Sequence, residues 1–141
     1  AHIVTDTNMA LSGINKRSLH QLGCQAHCFM SDPDVAAAAK ARGVTRAMVS
    51  MEKACSLDGD LIFAVGNAPT ALIQLDELIR AGKLLPKLII GVPVGFVNVV
   101  QSKERIMNAG VPCIVAKGRK GGSNVAAAIV NAGLYRLTRA E

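Results

Sequence analysis

Aromatic side chains are scarce: the chain has no Trp, one Tyr and three Phe. A surface that stacks nucleic-acid bases needs such rings beside its cations. The basic residues here are also scattered, so nucleic acid is a poor partner. No apolar run approaches the roughly 20 residues of a membrane-spanning helix, and no secretory signal opens the sequence, which sets a membrane aside. Charged residues make up only 18%, but half of all residues are apolar, too hydrophobic a composition for disorder. Standard catalytic and nucleotide signatures are missing as well. There is no P-loop and no strand-linked G-x-G-x-x-G with a suitably placed acidic residue. There is no G-x-S-x-G elbow, and no histidine at a strand end beside a nucleophile. Asp76 and Glu77 are neighbours on a predicted helix, which aims them apart, and they read as solvated surface.

What remains is a 141-residue chain, read as one domain over residues 1–141 with length enough for a real core. A net charge of +6 and a pI near 9.5 fit a small polyanionic ligand, with a mildly basic solvated surface as the bland alternative. Four cysteines without a secretory signal read as free thiols in a reducing compartment, hence a cytoplasmic location. His20, Cys24, His27 and Cys28 cluster in sequence, but their spacing is not a zinc knuckle. An extended 24–28 segment would put the two cysteines on one face and His27 on the other. No metal ligands are assigned.

The organising stretch is Leu61-Ile62-Phe63-Ala64-Val65 followed by Gly66-Asn67-Ala68-Pro69-Thr70. Five apolar residues without alternation predict a strand buried on both faces. Asn67 is a candidate N-cap and Pro69 suits a first helical turn. Apolar residues then recur at 71, 72, 75, 78 and 79, at helical spacing. A buried strand thus delivers a helix N-terminus, where backbone N–H groups point at an anion.

The same plan repeats along the chain. Strands are expected near 3–5, 26–30, 61–65, 88–92 and 113–116. Helices are expected over 9–22 with a break near Gly13, over 34–42, from Thr45 to about 55, over 97–108, and from Ser123 to about 139. Strands alternating with helices predict an α/β fold: a mostly parallel sheet flanked by helices, with Rossmann-like layering. In such folds ligands lie beyond the carboxyl ends of the strands. The polar and glycine-rich clusters at 5–8, 31–33, 66–70, 91–95 and 118–123 all fall there, although any α/β protein needs turns at those places. The loop Gly118-Arg119-Lys120-Gly121-Gly122-Ser123 reads equally as a solvent-exposed turn or as an anion clamp. The residues alone give a polyanion-binding α/β domain without a catalytic group.

Four motifs in order then carry a resemblance. Residues 5–14 (Thr-Asp-Thr-Asn-Met-Ala-Leu-Ser-Gly-Ile), 66–72 (Gly-Asn-Ala-Pro-Thr-Ala-Leu), 91–97 (Gly-Val-Pro-Val-Gly-Phe-Val) and 118–128 (Gly-Arg-Lys-Gly-Gly-Ser-Asn-Val-Ala-Ala-Ala) resemble the precorrin-8X methylmutase family, more nearly its cobalt-precorrin-8 branch from anaerobic cobalamin synthesis. The resemblance runs from the first residues to the last helix. It implies an isomerase that moves a methyl group from C11 to C12 of a corrin ring, giving cobyrinic acid or its metal-free counterpart. It also implies a homodimer with active sites near the subunit interface, and no cofactor, cobalt being carried by the substrate. That substrate is a corrinoid ringed by carboxylates.

By analogy, Thr5, Asp6 and Thr7 would line one wall of the site. Gly66, Asn67, Ala68 and Thr70 would offer hydrogen bonds to substrate carboxylates. Gly95 and Phe96 would border the ring face, and Ser102, Lys103, Arg119 and Ser123 would hold peripheral charge. The family also carries an N-terminal segment with a Val-Ile-His or Val-His motif, whose histidine is regarded as the general acid. No such motif occurs here, and His2, His20 and His27 do not match it by context. β-Structure beginning almost at Ala1 points either to a missing lead-in segment or to a removed initiator Met. The expectation is a methylmutase-family domain without its general acid, truncated or completed by another polypeptide. A non-catalytic tetrapyrrole-binding domain and a generic phosphate-ligand domain are the alternatives.

Overall fold

Five short strands, all parallel, form one sheet in the order β2-β1-β3-β4-β5. The computed structural model describes residues 2–93, 99–115 and 122–139. In chain order the elements are β1 (His2–Thr5), α1 (Asn8–Gly13), α2 (Lys16–Gln21), β2 (Gln25–Cys28), α3 (Pro33–Arg42), α4 (Arg46–Ala54), β3 (Leu61–Val65), α5 (Pro69–Arg80), β4 (Leu88–Gly91), α6 (Val99–Met107), β5 (Cys113–Val115) and α7 (Ser123–Arg139). β1 pairs with β2 through Thr5 and Cys28 and with β3 through Thr5 and Ala64; β3 pairs with β4 through Val65 and Gly91. The strand order reverses direction at β1/β3, the place where open α/β sheets bind ligands.

Alternation along each strand divides the core into two layers. Val4, Phe63, Val65 and Ile89 face one side, packing with Met51 of α4, Leu72 and Leu75 of α5 and Ile106 of α6. Ile3, Ala64, Ile90 and Val92 face the other, against Ile14, Leu19 of α2 and Ala126, Val130 and Leu134 of α7. Because both faces are covered, β3 reads as an unbroken apolar run. Cover is thinner beside β5, where Ile114 is 44% exposed. There Ile62, Leu88, Ile114 and Ile129 line an apolar groove of about 210 Å³.

Local signals place most helix ends. Thr45 accepts the Met48 N–H and opens α4, Thr7 does the same for α1 through Ala10, and Gly43 closes α3 in the left-handed conformation. The strand expected over 26–30 stops at Cys28. β2 is an edge strand whose one neighbour, β1, ends at Thr5, its partner in register, so residues 29 and 30 have no ladder to join. Asp76 overturns the solvated-surface expectation. Its carboxylate is fully buried, accepting from Arg80 Nε at 2.8 Å and Arg105 Nε at 3.0 Å, and so ties α5 to α6. Arg105 comes from a separate helix, which helical spacing around Asp76 does not reveal.

Candidate binding edge at the carboxyl ends of the strands

At the switch point, β1 ends in Thr5 and runs directly into Asp6, whose side chain is wholly buried. The Asp6 carboxylate accepts three backbone N–H groups from the turn after β3. Gly66 donates to Oδ1 at 2.8 Å, and Asn67 and Ala68 donate to Oδ2 at 2.8 and 2.6 Å. The helix that follows, α5, has Ala68 at its N-cap with no side-chain cap, and Pro69 in its first turn. Asn67, the residue expected to cap it, is exposed. Capping is supplied from β1 instead: a carboxylate at a helix N-terminus meets both free donors and the positive end of the dipole. Burial pushes the Asp6 carboxyl above the ordinary aspartate value, and the three N–H groups pull against that rise.

The network continues sideways. Thr5 Oγ1 donates to the Thr7 carbonyl at 2.9 Å. Thr7 Oγ1 accepts the Ala10 N–H at 3.0 Å and lies 2.8 Å from Ser123 Oγ, the first residue of α7. The Gly122 N–H donates to Val92 O at 2.7 Å, and Val92 N–H to Val65 O at 2.9 Å. Gly66 seats against this junction so closely that an added Cβ would lie 2.6 Å from Ser123 Cα and 2.9 Å from Gly122 O. Segments 5–7, 66–68 and 122–123, distant in sequence, therefore form one hydrogen-bonded edge.

The residues expected at the site divide accordingly. Thr5, Asp6, Thr7, Gly66, Ala68 and Ser123 come together, while Asn67 stands exposed beside them. Thr70 is half-buried in α5, its hydroxyl 3.2 Å from that of Thr45. Gly95, Phe96 and Arg119 lie outside the described residues. The N–H groups of Gly66, Asn67 and Ala68, expected to meet ligand carboxylates, are engaged by Asp6. Ser102 and Lys103, expected to hold peripheral charge of the ligand, are buried. With Val99 and Ile106 they form the buried stripe of α6, at the i, i+3, i+4, i+7 spacing that faces a core. The Ser102 hydroxyl donates to Val99 O at 2.8 Å, and burial lowers the Lys103 ammonium from its usual value. Sequence reading missed Asp6 as an internal anion. Asn67 offered itself as the local cap, so no signal along the chain pointed to Asp6.

The histidine side chains stand apart from this network, although the His27 carbonyl lies 3.4 Å from Thr5 Oγ1. His2 Nδ1 and His27 Nε2 are 2.8 Å apart, so one donates and the other accepts, and the His27 ring stacks on Phe29. His20 is exposed on α2. All four cysteines are free. Among the described residues, no three His, Cys, Asp or Glu side chains converge as a metal site, and no helix is long and apolar enough to cross a membrane.

Comparison with known proteins adds the following. The family model described as precorrin-8X methylmutase matches residues 1–136. The cobalt-precorrin-8 methylmutase of Salmonella typhimurium is 49% identical over 139 residues, covering 98% of this chain and 64% of that protein. The protein of the same name from Leptospira interrogans is 46% identical, covering 92% of this chain and 63% of its own length. Among solved structures, the precorrin-8X methyl mutase from Thermus thermophilus superposes with a TM-score of 0.85 at 41% identity, over 99% of this chain and 68% of that one. The chain thus spans less than two thirds of these curated relatives.

Proposed function

The chain belongs to the precorrin-8X methylmutase family, and from that membership we propose that it binds a corrinoid polycarboxylate and takes part in moving a methyl group from C11 to C12 of the ring. The product would be cobyrinic acid or its metal-free counterpart, within cobalamin biosynthesis. One observation carries the reading: the motifs at 5–14 and 66–72 and the start of α7 meet at the carboxyl edge of the sheet, at its switch point.

In this reading residues 1–141 act as one cytoplasmic domain that needs no added cofactor, since the reaction rearranges the substrate and any cobalt belongs to that substrate. Thr7, Thr70 and Ser123 border the ligand with the exposed Asn67 side chain, and the buried Thr5 backs them. Gly95 and Phe96 border the ring face, and Arg119 takes peripheral charge. Asp6 and the backbone of Gly66 and Ala68 shape the wall, with Ser102 and Lys103 supporting it from α6. The proton donor is not assigned to His2, His20 or His27, and the family's upstream histidine is proposed for that role. A homodimer is part of the proposal, and the apolar groove around Ile114 is a face of the kind such a contact would cover.

The test is titration with cobyrinic acid, followed by visible absorbance at two salt concentrations. Saturable binding that weakens with salt is expected, because carboxylates held by charge-assisted contacts are screened. Competition by nucleotides with indifference to corrinoids would overturn the reading in favour of a phosphate-ligand domain. Turnover is then compared between residues 1–141 and the same chain preceded by the family's histidine-bearing segment. Equal, substantial turnover would refute the upstream donor. Binding without turnover in both would favour a non-catalytic corrin-binding domain.

A further inference from the structure

An aspartate with no exposed surface needs its charge compensated on the spot, because burying an unpaired carboxylate is among the costliest things a fold can do. Asp6 is compensated wholly by backbone. Its two oxygens take the three N–H groups of Gly66, Asn67 and Ala68, and no cation is paired with it among the salt bridges of the described residues. This is the donor arrangement that helix N-termini in α/β proteins present to phosphates and carboxylates of ligands. Here the protein fills it with its own side chain, carried on the adjacent strand. The same residue sits between Thr5 and Thr7, whose hydroxyls fasten the chain to Thr7 O and to Ser123 at the head of α7.

We propose that Asp6 is a positioning residue, an internal anion that occupies the N-terminal donors of α5 and fixes the 66–68 turn against α7, so that ligand carboxylates are left to the side chains around this edge rather than to the helix terminus. The geometry makes Asp6 a structural substitute for a ligand anion. It explains why α5 begins without a cap of its own and why Gly66 abuts the backbone of Ser123. It also separates this edge from nucleotide-binding α/β proteins, in which those donors stay open for phosphate. The fixing of the turn does not depend on the corrinoid reading; the consequence for ligand affinity rests on it.

Removing the carboxylate empties a space of one carboxylate with three donors still facing it, so a small carboxylate should refill it. Asp6→Ala is compared with wild type by thermal unfolding in sodium formate and in sodium chloride at equal ionic strength, and by cobyrinic acid titration in both salts. The expected result is a lowered Tm for Asp6→Ala that formate raises saturably. Cobyrinic acid affinity should fall at least about tenfold, a change of 1.4 kcal/mol, and recover with formate. Wild type should not distinguish the two salts. Asp6→Asn fills the space with a neutral group and should be destabilised without responding to formate. Equal effects of formate and chloride on Asp6→Ala, or equal rescue of both variants, would overturn the proposal. Failure of wild type to bind cobyrinic acid would sink the corrinoid reading, and the formate comparison would still decide the role of Asp6. Should Asp6→Ala not fold, amide hydrogen exchange in wild type decides it: slow exchange at Gly66 and Ala68 is expected, and exchange at the rate of open chain refutes it.

Discussion

Gly66→Ala probes the junction that assembles the binding edge. Gly66 does not have a positive φ; it is needed for space. A Cβ there would meet Ser123 Cα at 2.6 Å, Ser123 N at 2.9 Å and Gly122 O at 2.9 Å. All three are backbone atoms, so relief requires moving the start of α7 away from β3 or re-aiming the 66–68 turn away from Asp6. Overpacking costs about 1–3 kcal/mol, and contacts this short with backbone belong in the upper part of that range. Replacing Gly by Ala also restricts the unfolded chain, which returns about 0.4–1 kcal/mol. The net expectation is a loss of about 1–2.5 kcal/mol, or a Tm lower by roughly 4–10 °C for a chain of this size. Urea unfolding measures it, with cobyrinic acid titration in parallel expected to show weakened binding. Gly133→Ala is the control. Its Cβ would meet nothing within 4 Å, inside α7, where Ala is favoured over Gly by up to about 1 kcal/mol. A Gly66→Ala stability within about 0.5 kcal/mol of wild type, the range of ordinary surface substitutions, would refute the reasoning. So would a larger loss in Gly133→Ala.

Three further outcomes follow from the same contacts. Asp76→Asn should cost about 1–3 kcal/mol, the scale of hydrogen bonds to a charged group. The upper part of the buried-pair range is not reached, because Arg80 and Arg105 stay 57% and 41% exposed and keep their hydration; chemical denaturation checks it. Thr7→Ala should cost about 1 kcal/mol as a lost N-cap, and a double-mutant cycle with Ser123→Ala should show coupling, since the two hydroxyls are 2.8 Å apart. Burial, aided by the neighbouring His2, lowers His27 below the ordinary histidine value of 6.5. A lowered histidine stabilises fully above that value, and its contribution is lost as the pH falls through it toward the folded pKa. The Tm of wild type should therefore decline over that acid range more steeply than that of His27→Phe. Parallel pH profiles of the two proteins would refute the assignment.

Much of the fold was legible because the signals are local. The apolar run 61–65, the proline at 69 and Thr45 at the head of its helix each act within a few residues of themselves, and each stands where the pattern put it. Strand ends were read too long at 26–30 because a ladder stops where its neighbour stops, and β1 turns away after Thr5. Ser102 and Lys103, although polar, stand in the buried stripe of α6. Their spacing with Val99 and Ile106 already marked the buried face of α6.

The sequence by itself determined the alternation of strands and helices, the polar clusters at the strand ends and the family motifs, since all of these are properties of neighbouring residues. Tertiary structure alone decided what those clusters bind. Asp6 meets Gly66, Asn67 and Ala68 across about 60 positions, and Thr7 meets Ser123 across 116. Along the chain Asn67 looks like the cap of helix α5; in space the capping anion is Asp6, which arrives from the end of the adjacent parallel strand. The donors that a linear reading offers to a ligand are, once the sheet forms, already satisfied by the protein itself.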